Sequence, residues 1–336
     1  MCAATRPKIL LLEPMLHKAG EAALRQSAEV QILTRPRPEE IQAAIGTAAA
    51  VWVRYPGPLR GDAIREGRQL IVISTSGRGT DAIDVDTATA CGVAVVNNPG
   101  YGQIPVSEHT LALMLDLAKG IARADARTRQ GRGWQDRDTT WGVALEGQTL
   151  GVIGCGQIGS EIVRKCVAAF RMRALVYDPY IPPGTASALG AVWVEDLAQV
   201  LREARFVTIH AELNRETRGM IGEAALRLMR SDAFLINAAR GAIVQQAALV
   251  RALQERWIRG AALDVFDPEP PPADSPLYAL DNLIITPHVA NFTEEAMRGL
   301  ALSAAGQILQ ALRGERPPHL LNPEVWARAT ERLAGR

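Results

Sequence analysis

Three observations predict an α/β protein built as two doubly wound parallel sheets. Short apolar runs rich in Val and Ile recur with helix-length segments between them, the pattern of successive βα units. At 336 residues the chain exceeds the size at which one core usually stays whole, so two domains are expected. The chemistry also shares an address: Gly154-Cys155-Gly156, Arg240, Glu269 and His288 lie at or shortly beyond the ends of the runs 149–153, 233–237, 261–266 and 283–286. In a parallel sheet those ends open on one edge, where open α/β sheets bind ligands.

Taken in order, the first hundred residues carry strand-like runs at 8–12, 30–33, 50–53, 70–73 and 93–96, enough for one small doubly wound domain. A periodic segment from 105 to about 129 places Val106, Leu111, Leu113, Met114, Leu117 and Ile121 on helical faces and reads as one helix opening the second domain. Pro105 suits its first turn, and Ser107 or Thr110 are candidates to support its start. Residues 131–142, with Trp134 and Trp141 among charges, read as a loop or arm before the βα series resumes at Leu150. The last periodic segment, 292–313, carries Leu300, Leu302, Ile308, Leu309 and Leu312 and is expected to return to the first domain. The expected division is a discontinuous domain of 1–99 and 288–336 around a central domain of 100–287.

Composition narrows the class of partner. Net charge is +1, with acidic and basic residues interspersed, so neither a nucleic acid nor an anionic membrane is expected. A hydrophobic fraction of 48% suits ordinary soluble cores, and a small molecule is the expected ligand. Cys2, Cys91, Cys155 and Cys166 have neither CxxC pairing nor the density of a disulfide scaffold, which points to a reducing, cytoplasmic location. Residues 1–7 carry no leader pattern, and no run approaches about 18 uninterrupted apolar residues. Without an HExxH or paired CxxC, no metal site is expected.

The run from Gly151 to Gly159 contains Gly154-Cys155-Gly156-Gln157-Ile158-Gly159, a GxGxxG between a strand and the helical segment 158–170. Missing side chains permit a tight turn and close backbone approach, leaving the helix N-terminal amides to receive a pyrophosphate. The motif alone is weak, but its context strengthens it. Asp178 ends the next strand-like run, 19 residues after Gly159, at the spacing of a ribose-binding acid. A carboxylate there accepts from ribose hydroxyls and repels a 2′-phosphate, and Pro179 and Tyr180 add no cation, so NAD is expected over NADP. The bland alternative gives the glycines only a turn and Asp178 only a helix cap.

Asn237-Ala238-Ala239-Arg240-Gly241, then Leu263-Asp264-Val265-Phe266-Asp267-Pro268-Glu269-Pro270, then Thr286-Pro287-His288 resemble the D-isomer-specific NAD-dependent 2-hydroxyacid dehydrogenases. The resemblance extends through Gly79-Thr80-Asp81-Ala82-Ile83-Asp84, Asn98-Pro99, Ser107-Glu108-His109 and Tyr177-Asp178-Pro179. It implies a Rossmann NAD-binding domain inserted into a flavodoxin-like substrate domain, and a catalytic triad of Arg240, Glu269 and His288. His288 would exchange a proton with the substrate oxygen, Glu269 orient the imidazole, and Arg240 hold the substrate carboxylate. It further implies cofactor contacts from Gln157, Ile158, Ala211, Ala238, Asp264 and Asn291. Two segments depart from the family pattern: His210-Ala211-Glu212-Leu213 replaces His-x-Pro-Leu, and Val289-Ala290-Asn291-Phe292-Thr293 replaces a glycine-containing form.

The substrate carboxylate is also expected at the backbone amides of Ser76-Gly77-Arg78-Gly79, with Arg54 and Arg78 available for a second anion or simply solvated. Phosphoglycerate dehydrogenases look similar around Arg54, yet Thr75 stands where they commonly carry Arg. His17 and His319 read as exposed and His109 as structural; for His210 packing is favoured over catalysis. The resemblance implies a homodimer through 105–129 and the Trp134–Trp141 arm, and domain closure that excludes water. Rival readings are phosphoglycerate, glyoxylate or hydroxypyruvate reduction, and an NAD-sensing corepressor-like binding protein. No charged tail or regulatory extension is visible up to Arg336 to favour the latter.

Overall fold

A computed structural model describes residues 6–54, 57, 59–139 and 141–334; the expectations drawn on residues 1–5, Cys2 among them, lie outside the described residues. The chain divides into two compact units, Met1–Tyr101 with Phe292–Arg336, and Gly102–Asn291. Residues 288–291 group with the central unit, where Val289 and Ala290 donate their N–H groups to Asp264.

The first unit runs β1 (Lys8–Leu11), α1 (Lys18–Ser27), β2 (Glu29–Ile32), α2 (Pro38–Ile45), β3 (Ala50–Val53), α3 (Gly61–Glu66), β4 (Val72–Thr75), α4 (Val85–Ala90) and β5 (Ala94–Val96). Among the described residues its strands pair in parallel in the order β2-β1-β3-β4-β5, the flavodoxin-like arrangement. β3 and β4 are buried at every position, so they read as continuous apolar runs with no alternation, as sheets covered on both faces do.

The central unit follows with α5 (Gln103–Lys119), α6 (Ile121–Arg129), β6 (Thr149–Ile153), α7 (Gln157–Phe170), β7 (Arg173–Tyr177), α8 (Pro183–Ala188), β8 (Val192–Trp193), α9 (Leu197–Glu203), β9 (Phe206–Ile209), α10 (Glu223–Leu228), β10 (Phe234–Asn237), α11 (Gln246–Gln254), β11 (Gly260–Leu263) and β12 (Leu283–Ile285). The expected single helix over 105–129 is two. Gly120 at φ 66° takes the left-handed conformation that ends α5 and turns the chain into α6. Ser107 and Thr110 do not cap α5; their hydroxyls bond back to the Ile104 and Val106 carbonyls. β11 is also shorter than the apolar run 261–266, because Asp264 leaves the sheet to serve the loop after β12.

Parallel pairing in the order β12-β11-β10-β9-β6-β7-β8 makes the chain wind one way from β6 to β8 and the other way from β9 to β12. The reversal lies between β6 and β9, and at such a switch point a crevice opens beyond the strand ends. The chain then rejoins the first unit as α12 (Glu294–Leu312) and α13 (Trp326–Ala334). Ala301, Ala304, Ala305 and Ile308 of α12 share a core with Ile9, Leu11, Trp52 and Val72. A Cβ at Gly20 would stand 2.6 Å from the Ala301 carbonyl oxygen, so only glycine lets α1 cross α12 this closely.

His210 closes β9. Its N–H donates to the Ile153 carbonyl at 2.7 Å, its Nε2 pairs with Thr208 Oγ1 at 2.9 Å, and Nδ1 is sealed from solvent. Burial lowers its pKa from 6.5 to about 3, so the imidazole is neutral at physiological pH and serves packing. Because the folded pKa lies below the unfolded one, the unfolded chain binds a proton that the folded chain refuses between these values. Stability is therefore kept above pH 6.5 and lost as pH falls toward 3. Thermal unfolding of wild type and His210→Gln should diverge on acidification, the wild type losing on the order of 2 kcal/mol more between pH 6.5 and 5; parallel pH profiles would contradict this.

Candidate active site

Reading along the carboxyl edge of the central sheet, His288 follows β12, Glu269 follows β11, Arg240 follows β10, His210 and Ala211 follow β9, the glycine loop follows β6 and Asp178 follows β7. The order of strands thus lays the predicted groups out in a line crossing the switch point. Sequence spacing alone did not contain that order.

The three glycines have three different physical reasons. Gly154 sits at φ +86°, and a Cβ there would lie 2.5 Å from Ala211 N, so the turn after β6 needs glycine to pass beneath the loop after β9. At Gly159 a Cβ would stand 2.2 Å from the Gly154 carbonyl oxygen, which fixes the contact between α7 and the turn. At Gly156 an added Cβ would meet nothing within 4 Å. Its side faces open space that a phosphate could approach, and α7 starts there with no side chain capping its first N–H groups, which include those of Gln157 and Ile158. These features fit a dinucleotide pyrophosphate. Asp178 accepts from Cys155 N at 2.8 Å on one oxygen and from Tyr180 N at 2.9 Å on the other, which fixes the carboxyl group and leaves a further lone pair on each oxygen for ribose hydroxyls.

His288 Nδ1 and Glu269 Oε1 are 2.7 Å apart, with the imidazole 35% exposed and the Glu269 side chain 12%. The acid is shielded while the ring remains reachable. The backbone of His288 is left-handed at φ 54°, sparsely populated for a residue other than glycine, and its N–H is held by the Asp264 carbonyl at 2.8 Å and the Thr286 carbonyl at 3.0 Å.

Asp264 is the anchor of this loop. Its fully buried carboxyl group accepts from Thr286 Oγ1 at 2.6 Å, Val289 N at 2.9 Å and Ala290 N at 2.9 Å, while its N–H donates to Asn237 O at 3.0 Å. His109 Nε2 lies 3.1 Å from Thr286 Oγ1 and 3.6 Å from the carboxyl oxygen. These bonds tie Asp264 to the loop that presents His288. A signal was present in the sequence: an acid between Leu263 and Val265 in an apolar run must be satisfied internally. The sequence held no sign that its donors would come from residues 286–290.

Arg240 is half-buried and bonds through Nη1 to the Ala239 carbonyl at 2.8 Å. Asn237, fully buried, clamps its turn: Nδ2 donates to Arg240 O at 2.9 Å and Oδ1 accepts from Ala239 N at 3.0 Å. A Cβ at Gly241 would overlap the Phe266 backbone at 2.0 Å, so the Arg240 turn packs directly on the segment leading to Glu269. Ala211 and Ala238 are half-buried on the same edge. Asn291 Oδ1 is buried without a hydrogen-bond partner, an acceptor suited to an amide donor on a bound group.

Arg54, Ser76, Gly77 and Arg78 belong to the first unit, Arg54 after β3 and the others after the adjacent β4. Arg78 is exposed and its carbonyl accepts from Asn97 Nδ2 at 2.9 Å. The Gly77 turn is tied down by Thr75, whose Oγ1 accepts from Gly77 N at 3.2 Å, and by Asn98, whose N–H donates to Gly77 O at 2.8 Å. His17 caps α1, with Nδ1 accepting from Ala19 N at 3.1 Å, while His319 is exposed. Among the described residues no group of three His, Cys, Asp or Glu side chains is arranged to hold a metal, and no helix is long and apolar enough to cross a membrane.

Comparison with known proteins agrees with this geometry. Residues 111–290 match the NAD binding domain of the D-isomer specific 2-hydroxyacid dehydrogenases, which makes NAD the cofactor of the central unit. A D-3-phosphoglycerate dehydrogenase from Methanocaldococcus jannaschii is 41% identical over 315 residues, 94% of this chain and 59% of that protein, so the chain spans about three fifths of that relative's length. A glyoxylate reductase from Aeropyrum pernix is 35% identical over 95% of this chain and 97% of its own. Among solved structures, a Thermus thermophilus protein superposes with a TM-score of 0.86 at 30% identity, covering 94% of this chain and 99% of its own. D-lactate dehydrogenase from Escherichia coli gives a TM-score of 0.82 at 27% identity, covering 94% and 99%. The chain belongs to the D-isomer specific 2-hydroxyacid dehydrogenase family.

Proposed function

We propose that the chain is an NAD-dependent oxidoreductase interconverting a 2-oxoacid and a D-2-hydroxyacid, with Arg240, Glu269 and His288 as its catalytic residues. The observation that carries this reading is the 2.7 Å contact between His288 Nδ1 and Glu269 Oε1 on the edge that also holds the glycine loop. NAD, when bound, supplies the hydride acceptor or donor. The residues of the chain handle the proton and the charge.

With Nδ1 committed to Glu269, the ring keeps one orientation and Nε2 is the nitrogen that exchanges a proton with the substrate oxygen. In reduction the imidazolium donates to the ketone oxygen; in oxidation the neutral ring accepts from the alcohol. Asp264 acts as a positioning residue, because the loop that presents His288 hangs from its carboxyl group. Arg240 offers a planar fork of donors for the substrate carboxylate, with the carbonyl oxygen close to the same charge. We assign the first unit, which carries the Ser76–Gly77 turn, as the substrate domain and the central unit as the NAD-binding domain.

Arg54 and Arg78 stand ready for a second anionic group, while Thr75 supplies no third cation. This argues for a small mono- or dianionic acid. Glyoxylate and hydroxypyruvate with NADH, and phosphoglycerate with NAD in the oxidative direction, are the substrates to compare, since the relatives are named for two of these activities. We also propose a homodimer through α6 and the arm that follows, where Ile121, Trp134 and Trp141 are 59%, 80% and 79% exposed.

Steady-state kinetics with NADH and a panel of 2-oxoacids, followed by chiral analysis of the product, should give the D-hydroxyacid. An inert protein that binds NADH would favour the corepressor-like alternative. His288→Gln and Glu269→Gln should each lower kcat by about 10²- to 10⁴-fold with NADH binding intact; retention of near-wild-type turnover by either would refute its assigned role. Arg54→Ala and Arg78→Ala should raise KM for dianionic 2-oxoacids more than for glyoxylate, and equal kinetics across the panel would remove the second-anion assignment. Sedimentation at micromolar concentration should yield a dimer, against which a monomer would count.

A further inference from the structure

Tyr180 and Glu216 lie outside the machinery above, yet they span the outer end of the nucleotide groove. Tyr180 follows β7 and Glu216 follows β9, the two strands on either side of β6, and the Tyr180 hydroxyl donates a hydrogen bond to Glu216 Oε2. That bond links the two loops that flank the glycine turn.

Both ends are built before they meet. Tyr180 N donates to Asp178 Oδ1 at 2.9 Å, and the other oxygen of Asp178 is bound to Cys155 N at 2.8 Å, so the tyrosine loop is referenced to the glycine turn. Across the groove, Asn214 Oδ1 accepts from Glu216 N at 2.8 Å and Thr217 N at 3.0 Å, and Thr217 Oγ1 donates to Glu212 O at 2.6 Å. Glu216 therefore stands on a closed turn. Hydrogen bonding to Glu216, with the Asp178 charge adding to it, holds the Tyr180 phenol above its usual pKa and keeps it a donor. The ring itself is 70% exposed, a broad aromatic surface tethered at its tip beside the acid expected to hold a ribose.

We infer that Tyr180 and Glu216 form the outer wall of the subsite for the adenosine half of NAD. The Tyr180 ring lies against adenine, and the Glu216 hydrogen bond fixes that ring in place. The inference rests on the reading of this groove as the NAD site, and it assigns two residues that neither the glycine motif nor the ribose acid identifies. An aromatic face recognises adenine by stacking, whatever the substrate at the other end of the groove.

Stopped-flow release of NADH, followed by nicotinamide fluorescence, tests it in wild type, Tyr180→Ala, Tyr180→Phe and Glu216→Ala. Both side chains are on the surface, so the variants keep the fold. Loss of the ring should speed release about tenfold, the worth of one base–aromatic contact, with smaller accelerations for Tyr180→Phe and Glu216→Ala. Reduced nicotinamide mononucleotide, which lacks the adenosine, should bind all four proteins with one Kd. Unchanged NADH release in Tyr180→Ala overturns the proposal, as does an equal loss for the mononucleotide. A wild-type protein that binds no NADH overturns instead the reading of the groove.

Discussion

The central unit turns on one buried carboxyl group. Asp264 has no access to water, so its oxygens must find donors inside the protein, and they find them on Thr286, Val289 and Ala290. Satisfying such a group with several short bonds costs little, whereas leaving any of them unmade carries the full desolvation penalty, on the order of 1–3 kcal/mol per group. The loop after β12 is consequently held in one shape, including the left-handed backbone of His288. Placement of the imidazole against Glu269 follows from that shape. The same residue donates its N–H to Asn237 O, and Asn237 in turn clamps the Arg240 turn. Three predicted catalytic groups from three strand ends are thereby referenced to one polar network.

The sheet supplies the second constraint. Because winding reverses between β6 and β9, the loops on either side of that boundary diverge and leave a crevice that the glycine turn lines. Gly154 and Gly159 are forced by close backbone approach, while Gly156 is set apart by the open space beside it. That contrast separates glycines required by packing from one that packing does not require. The chain's own groups divide at the switch: the ends of β9 to β12 carry His210, Arg240, Glu269 and His288, and those of β6 and β7 carry the glycine turn and Asp178.

The first unit contributes chemistry of another kind. Among the described residues it carries no His–carboxylate pair like that of His288 and Glu269; its interest lies in the turn at Ser76 and Gly77, held by Thr75 and Asn98, with Arg54 and Arg78 on adjoining strand ends. Gln307 of α12 donates to Asn98 Oδ1 at 3.0 Å, so the segment that returns after the central unit braces this turn from within the first unit's own core. The proposed substrate contacts and the proposed catalytic groups thus lie on different units of the chain.

Local chemistry was legible in the amino-acid sequence. The glycine spacing, the acid at Asp178, and Arg240, Glu269 and His288 beyond apolar runs all depend on short-range rules of strand, turn and helix start. Both α/β sheets followed from periodicity for the same reason. What periodicity could not convey was any property fixed by residues far apart in the chain. The break at Gly120 escaped it because glycine is tolerated within an apolar helical pattern until the next segment must change direction. The two-residue strand β8 is too short to show a period. The structural work of Asp264 was hidden because its donors lie 22 to 26 residues away, whereas His210 was expected to serve packing and does so with a neutral ring. Sequence thus determined which chemical groups the protein owns; tertiary structure decided which were spent on holding others in place, since burial and pairing are properties of neighbours in space.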